Sequence, residues 1–272
     1  MHTKATVGAL VIGPAAAVLY ADARWDSLTL TVAAPFAGAA LVVLFVLAGA
    51  GARARKDFFA YFARTRRFSY CDEAEVRPLT PLLRAGDRRQ FAHYMEGPLP
   101  PAAAGLGCAL THYTFEVERH DDDGRHWESH PFTICVVELE CAIQRFSDFF
   151  LCSRGEIPGR LGRLLDDEAC WIPHSASHAL ELESSAFADR FELRTRSAQN
   201  EIALRQLFSP SFIVWLATHP LAPKFEYSAG TVVLYLDGHI DDGGKLDFFL
   251  EAAAQIAGRI TAEVRESVAI GR

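Results

Sequence analysis

Ser27-Leu-Thr-Leu-Thr-Val-Ala-Ala-Pro-Phe-Ala-Gly-Ala-Ala-Leu-Val-Val-Leu-Phe-Val-Leu-Ala-Gly-Ala-Gly-Ala52 is a run of 26 residues without a charged side chain. As a helix it extends about 39 Å, more than the roughly 30 Å of a bilayer's hydrocarbon core. With Ala40-Leu-Val-Val-Leu-Phe-Val-Leu-Ala48 inside it, the run reads as a transmembrane helix and divides the chain into unlike parts. Residues 5–21 are uncharged too, but at about 26 Å they make a borderline span. Together they predict a transmembrane helical hairpin over 1–52, with Trp25 in the short external turn and with Pro14 and Pro35 tolerated as membrane helices tolerate them. A competing reading takes 1–23 as a signal peptide, with Lys4 in its basic region and Ala21-Asp-Ala23 as its cleavage site.

The averages of the 272-residue chain, 50% hydrophobic and 22% charged, conceal that division. They exclude a disordered polymer, a disulfide-dense mini-protein and a polytopic transporter. Only Lys4, Asp22, Arg24 and Asp26 are charged within 1–52, which leaves 57 charged residues for the other 220, the proportion of a soluble domain. The net charge of -7 resolves into 0 over 1–52, +5 over 53–67 and -12 beyond. An acidic domain of that kind repels nucleic acid, so no nucleic-acid partner is expected. Arg53, Arg55 and Lys56 directly follow the apolar run. Cations there resist translocation and place residues 71–272 in the cytoplasm under either reading of the first segment.

Residues 53–70 form a basic aromatic juxtamembrane segment with two open readings. Arg53, Arg55, Lys56, Arg64, Arg66 and Arg67, interleaved with aromatic rings, suit the headgroup layer of a membrane interface. Alternatively the helix simply continues, and a face of Phe58, Tyr61 and Phe62 packs on the domain. The six cysteines show no C-x-x-C pair and read as small apolar core residues of a reducing compartment.

Residues 71–272 predict an α+β domain with a mixed, mainly antiparallel sheet and a C-terminal helix. A short helical or irregular piece over 76–85 precedes strand-like segments at 91–96, 108–118, 132–139 and 148–152, with 120–130 as a polar hairpin tip. Strands follow at 179–183 and 191–195, then helices over 198–208 and from Pro210, and a hairpin around Ala229-Gly230. The closing helix, 245–266, carries Leu246, Phe249, Leu250, Ala253, Ile256, Ala257 and Ile260 on one face.

Leu182-Glu-Ser-Ser-Ala-Phe-Ala-Asp-Arg-Phe191 is an L-E-S-x-x-F-x-x-x-F block. With the helix, strand pair and terminal helix that follow, it resembles an uncharacterised bacterial domain-of-unknown-function family of membrane-anchored proteins. Ala188 stands where that family's pattern has Asn. The resemblance implies membrane helices followed by a cytoplasmic α+β domain at the bacterial cytoplasmic membrane, and it implies no activity. Physically, Phe187 and Phe191 read as packing anchors at a turn into a strand.

Chemistry-bearing motifs are few. The chain has no P-loop, no G-x-G-x-x-G, no G-x-S-x-G and no H-E-x-x-H, and no cofactor is expected. The best metal-like cluster is Cys170, His174 and His178, with Asp166, Asp167 and Glu168 upstream, since zinc needs three or four such ligands converging. The polar group from His120 to His130 reads as a solvated hairpin tip. The leading function is therefore a non-enzymatic interaction or assembly module held at the membrane, binding a protein partner or itself. Metal-assisted hydrolysis at His174 and His178 is one alternative. The other is a lipid or small-ligand site between the sheet and the C-terminal helix, beside the basic collar.

Overall fold

The computed structural model describes residues 27–121, 124–154, 177–196 and 201–270. For 27–42, 44, 48, 121 and 270 the description covers the backbone alone. The chain divides into two compact units, Met1–Asp57 and Phe58–Arg272. Helix α1, Ser27–Thr65, is 39 residues long. The first limb of the expected hairpin, together with Cys170 and His174, lies outside the described residues. Among the described residues no helix is long and apolar enough to cross a membrane.

The second unit is built on one sheet. Among the described residues it has nine strands in the order β1-β2-β3-β4-β9-β8-β5-β7-β6, every neighbouring pair antiparallel. The long central strands are β2 (Arg88–Pro98), β3 (Gly107–Asp121) and β4 (Gly124–Glu138). Short β1 (Ser69–Cys71) flanks β2 at one edge. Beyond β4 lie β9 (Thr231–Asp237), β8 (Lys224–Ser228), β5 (Phe149–Ser153), β7 (Phe191–Thr195) and β6 (His178–Ala179). The β8–β9 hairpin turns at Ala229 and Gly230, both with positive φ (48° and 82°). That pairing of left-handed residues matches the twist of a tight hairpin.

Side-chain alternation sends two apolar sets to opposite faces. Cys135, Val137, Val232 and Leu234 join the large core on the first face, whereas Ile134, Val136, Val233 and Tyr235 belong to a smaller cluster on the second. The first face carries single-turn α3 (Ser185–Ala188), α4 (Glu201–Leu207), α5 (Pro210–Thr218) and α6 (Gly243–Ile270). Asp242 caps α6 by accepting the Lys245 amide at 2.8 Å. All seven apolar residues read from its pattern are buried. Arg259 on α6 donates to the Leu207 and Gln206 carbonyls and so satisfies the end of α4. Buried Glu263 accepts from both Arg259 and Arg145. Between the sheet and α6, where a ligand site is expected, lie buried core side chains such as Leu246, Phe249 and Ile256.

Three local expectations are corrected. The β3–β4 hairpin runs to Asp121 and Gly124, so 120–130 is mostly strand; His130 is buried and stacks on Phe115 at 4.7 Å. Cys71 and Cys141 are exposed, unlike the buried Cys108, Cys135 and Cys152. The strand read over 179–183 shrinks to His178–Ala179, because Ser184 accepts the Phe187 amide and starts a helical turn instead. Phe187 of that turn and Phe191 at the start of β7 are both buried with rings 5.4 Å apart, the packing anchors that the block suggests.

The end of α1 closes in a Schellman arrangement. The Phe68 amide reaches the Ala63 carbonyl and the Arg67 amide reaches that of Arg64, with Arg67 at φ 62°. Replacing Arg67→Gly removes a left-handed penalty and is expected to raise unfolding stability by up to about 1 kcal/mol. Gly258→Ala has the opposite sign. Its new methyl would stand 2.7 Å from the Ala102 carbonyl oxygen, a clash that overpacked cores show to cost about 1–3 kcal/mol. Urea unfolding midpoints check both.

Candidate functional site

The last two turns of α1 are part of the domain's core. Phe59, Phe62 and Ala63 are buried, Phe58 is half-buried, and Tyr61 is 66% exposed. The packing face is thus turned by about one residue from the expected Phe58, Tyr61 and Phe62. Arg66 forks onto Asp247 of α6, with Nε donating to Oδ1 and an η nitrogen to Oδ2. Its guanidinium lies 3.7 Å over the Phe62 ring. One cation of the predicted collar is therefore committed to the domain's own carboxylate, a bidentate geometry that only Arg supplies. Arg53, Arg55, Lys56, Arg64 and Arg67 are exposed.

Phe59 docks into a row of imidazoles. His93 stacks on it at 4.5 Å, and His112 meets it edge-on at 4.9 Å. His239 stacks on His112 in turn at 4.4 Å. Three separate chain segments supply these rings. His93 sits at a bulge of β2, where the register with β3 shifts between Ala92 and Met95, and its φ is 54°. Such a bulge re-aims a side chain, here onto α1. His112 points to the first face by strand alternation, and His239 comes from the loop after β9.

Hydrogen bonds fix the rings. His112 Nε2 donates to the Ile240 carbonyl at 3.1 Å, with Asp241 at 3.9 Å, and His239 Nε2 faces the Thr114 hydroxyl at 3.0 Å. The Tyr70 hydroxyl donates to Asp72 at 2.8 Å and lies 2.9 Å from His93 Nδ1. With its one proton given to Asp72, Tyr70 requires Nδ1 of His93 to be the donor. Burial, then the neighbouring His239, pull the His112 pKa down to about 4 against the opposing carbonyl and Asp241. Burial and Asp72 push the Tyr70 phenol up. Neutral His112 is thus a packing surface for the arriving helix, held in place by its bond to Ile240.

The second face is crossed by a strap, residues 72–87, which contains single-turn α2 (Pro81–Arg84). Leu82 and Leu83 press on Tyr113, Phe115 and Ile134. The Leu82 amide donates to both carboxyl oxygens of buried Glu226, at 2.9 and 3.2 Å, and the Tyr113 hydroxyl donates to the Leu82 carbonyl at 2.9 Å. Burial pushes the Glu226 carboxyl up to about 7. Asp148 adds to the rise, while the Thr80 hydroxyl, the Leu82 amide and Arg84 oppose it. Beside the strap opens a cleft of about 440 Å³ lined by Glu75, Val76, Arg77, Tyr94, Glu96 and Glu138.

Of the metal-like cluster, only His178 is described. It lies half-exposed on β6, 3.5 Å from Glu201. Among the described residues no three His, Cys, Asp or Glu side chains are placed to hold a metal ion. Sequence reading missed His93, His112, His239 and Glu226. Their signal is non-local, because each is an ordinary strand or loop residue until the sheet pairs.

No protein-family model matches the chain, and no curated protein matches it. Among solved structures, the crystal structure of the mycobacterial trehalose monomycolate transport factor A is similar at a TM-score of 0.49 and 12% identity. The match covers 78% of this chain and 96% of that one.

Truncation at the docking point is expected to cost far more than truncation beside it. Phe59→Ala should lower unfolding stability by about 3–5 kcal/mol, and exposed Tyr61→Ala by no more than about 0.5 kcal/mol. A histidine with a depressed folded pKa stabilises fully above its unfolded value near 6.5 and loses that contribution as pH falls through about 4. Ring-nitrogen NMR should accordingly find His112 neutral at about pH 5.5; titration near 6.5 would contradict the packing described.

Proposed function

We propose that the chain is a membrane-anchored module whose α+β domain faces the cytoplasm and binds a protein partner or a second copy of itself. One observation carries this reading. A single helix, Ser27–Thr65, leads from the uncharged run, through Arg53, Arg55 and Lys56, into the buried Phe59 and Phe62 of the domain. An uncharged segment of 26 residues followed directly by cations is the sequence pattern of a membrane tether. The cations at its end favour the cytoplasmic side for the domain. In this reading Phe59 and its imidazoles join anchor to domain, and the exposed Arg53, Arg55, Lys56, Arg64 and Arg67 meet the headgroup layer. The hairpin with residues 5–21 as its first limb, and the kinship suggested by the L-E-S block, belong to the same proposal.

Exposed Val43 and Val46 provide the test of anchoring. Wild-type protein should stay with the membrane fraction through an alkaline carbonate wash, and Val43→Arg with Val46→Arg should release it, each arginine costing about 2.5–3.5 kcal/mol at mid-span. Wild type that washes off would defeat the anchor. Exposed Cys71 and Cys141 report the side. A membrane-impermeant maleimide should leave them unlabelled in intact spheroplasts and label them after lysis, whereas labelling before lysis would reverse the orientation.

A further inference from the structure

Glu226 is a buried carboxyl that the anchoring proposal does not use, and it lies beneath the middle of the strap. The strap's ends are tied to the sheet: the Asp72 carbonyl accepts the His93 amide, and the Asp87 amide donates to Glu116. Between those ends the strap is irregular except for one helical turn. Its bonds to the sheet there include those of Leu82 with Glu226 and Tyr113, of the Leu83 carbonyl with Arg89 at 3.2 Å, and of the Glu73 carbonyl with the Cys71 thiol at 3.0 Å. Leu82 and Leu83 are the side chains by which it covers the second apolar cluster.

Burial is what disfavours a carboxylate at Glu226, and the charges around it are mixed. From the segment leading into β5, Asp148 presents a like charge, itself 3.7 Å from Arg196. From the strap, the Arg84 guanidinium acts on it as a cation, and its Nε donates to the Pro78 carbonyl at 2.6 Å. Lys224, two residues along the same strand, is held by Asp237 at 2.9 Å. From β3 comes only the neutral Tyr113 hydroxyl, with Arg89 beyond it. Glu226 is buried, so the protonated acid, which can still accept the Leu82 amide, fits better because it strands no charge away from water.

We propose that residues 72–87 are a proton-operated lid on the second face of the sheet, closed over the Glu226 carboxylic acid and released when that acid ionises. Release leaves an unpaired buried charge with access to water and uncovers an apolar patch of Tyr113, Phe115, Ile134 and Val136. It also removes Val76 and Arg77, one wall of the neighbouring cleft. The lid is independent of whether the chain is anchored in a membrane.

The sign follows from the carboxyl being raised from 4.5 to about 7 in the closed form. Closure is fully supported below about 4.5, weakens as pH rises towards 7, and levels off above it. Histidine effects on the first face run the other way. The test is hydrogen exchange of the Leu82, Arg84 and Ala85 amides in the full-length protein in detergent micelles, corrected for intrinsic rates and followed from pH 5 to 9. The opening constant should rise about ten-fold per pH unit up to about 7 and then level. Glu226→Gln should abolish the rise. Tyr113→Phe should raise opening by the same factor at every pH, and Asp148→Asn should move the upper bend to lower pH. A flat wild-type profile, or a rise that survives Glu226→Gln, overturns the lid. Should Glu226→Gln fail to fold, a bend that Asp148→Asn does not move overturns it equally.

Discussion

Phe59 is fully buried between one imidazole that stacks on it and another that meets it edge-on, and the second unit is organised around that contact. An α-helix leaves its apolar stripe unsatisfied unless another element covers it, and so does one face of a sheet. Here the end of α1 and the first face of β2–β3 satisfy each other. The bulge at His93 exists at a conformational cost of order 1 kcal/mol for a left-handed non-glycine residue, and what it delivers is a ring against Phe59. Arg66 then fixes the same helix end to α6 through Asp247, so helix, sheet and C-terminal helix meet at one place.

The sheet separates two environments with opposite electrostatic demands. On the first face, His112 is held neutral because a cation would be stranded between Phe59 and His239. On the second, Glu226 is biased toward its acid form because an anion would be stranded under Leu82. Stability assigned to the histidine is lost towards low pH, and that assigned to the glutamate is lost towards high pH. Each buried group is coupled to the element lying on its own face: α1 in one case, the strap in the other.

Much of this fold was legible before any coordinates. Alternation in 108–118 and 132–139 identified the central hairpin, and the spacing of Leu246, Phe249, Leu250 and Ile256 identified α6, because both patterns are set by local geometry alone. The helix into 53–66 was legible as well, but its rotation was not: Phe58, Phe59, Tyr61 and Phe62 are all aromatic, so composition cannot say which of them faces the core. The histidine row was invisible for a different reason. His93, His112 and His239 come together only through the β2–β3 register and the loop after β9, which no spacing along the chain encodes. Glu226 read as the middle residue of a strand hairpin; only strap closure makes it a buried acid. His178 was read as part of a metal cluster whose other members lie outside the described residues; it stands 3.5 Å from Glu201.

The central claim is that the end of α1 is fastened by specific ring contacts and not by generic apolar burial. A double-mutant cycle measures that fastening directly. Unfolding free energies of wild type, Phe59→Ala, His93→Ala and the double variant should give a coupling energy of about 0.5–1.5 kcal/mol, the range of a stacked aromatic pair. A coupling energy indistinguishable from zero would mean that Phe59 and His93 contribute independently, and would contradict the account.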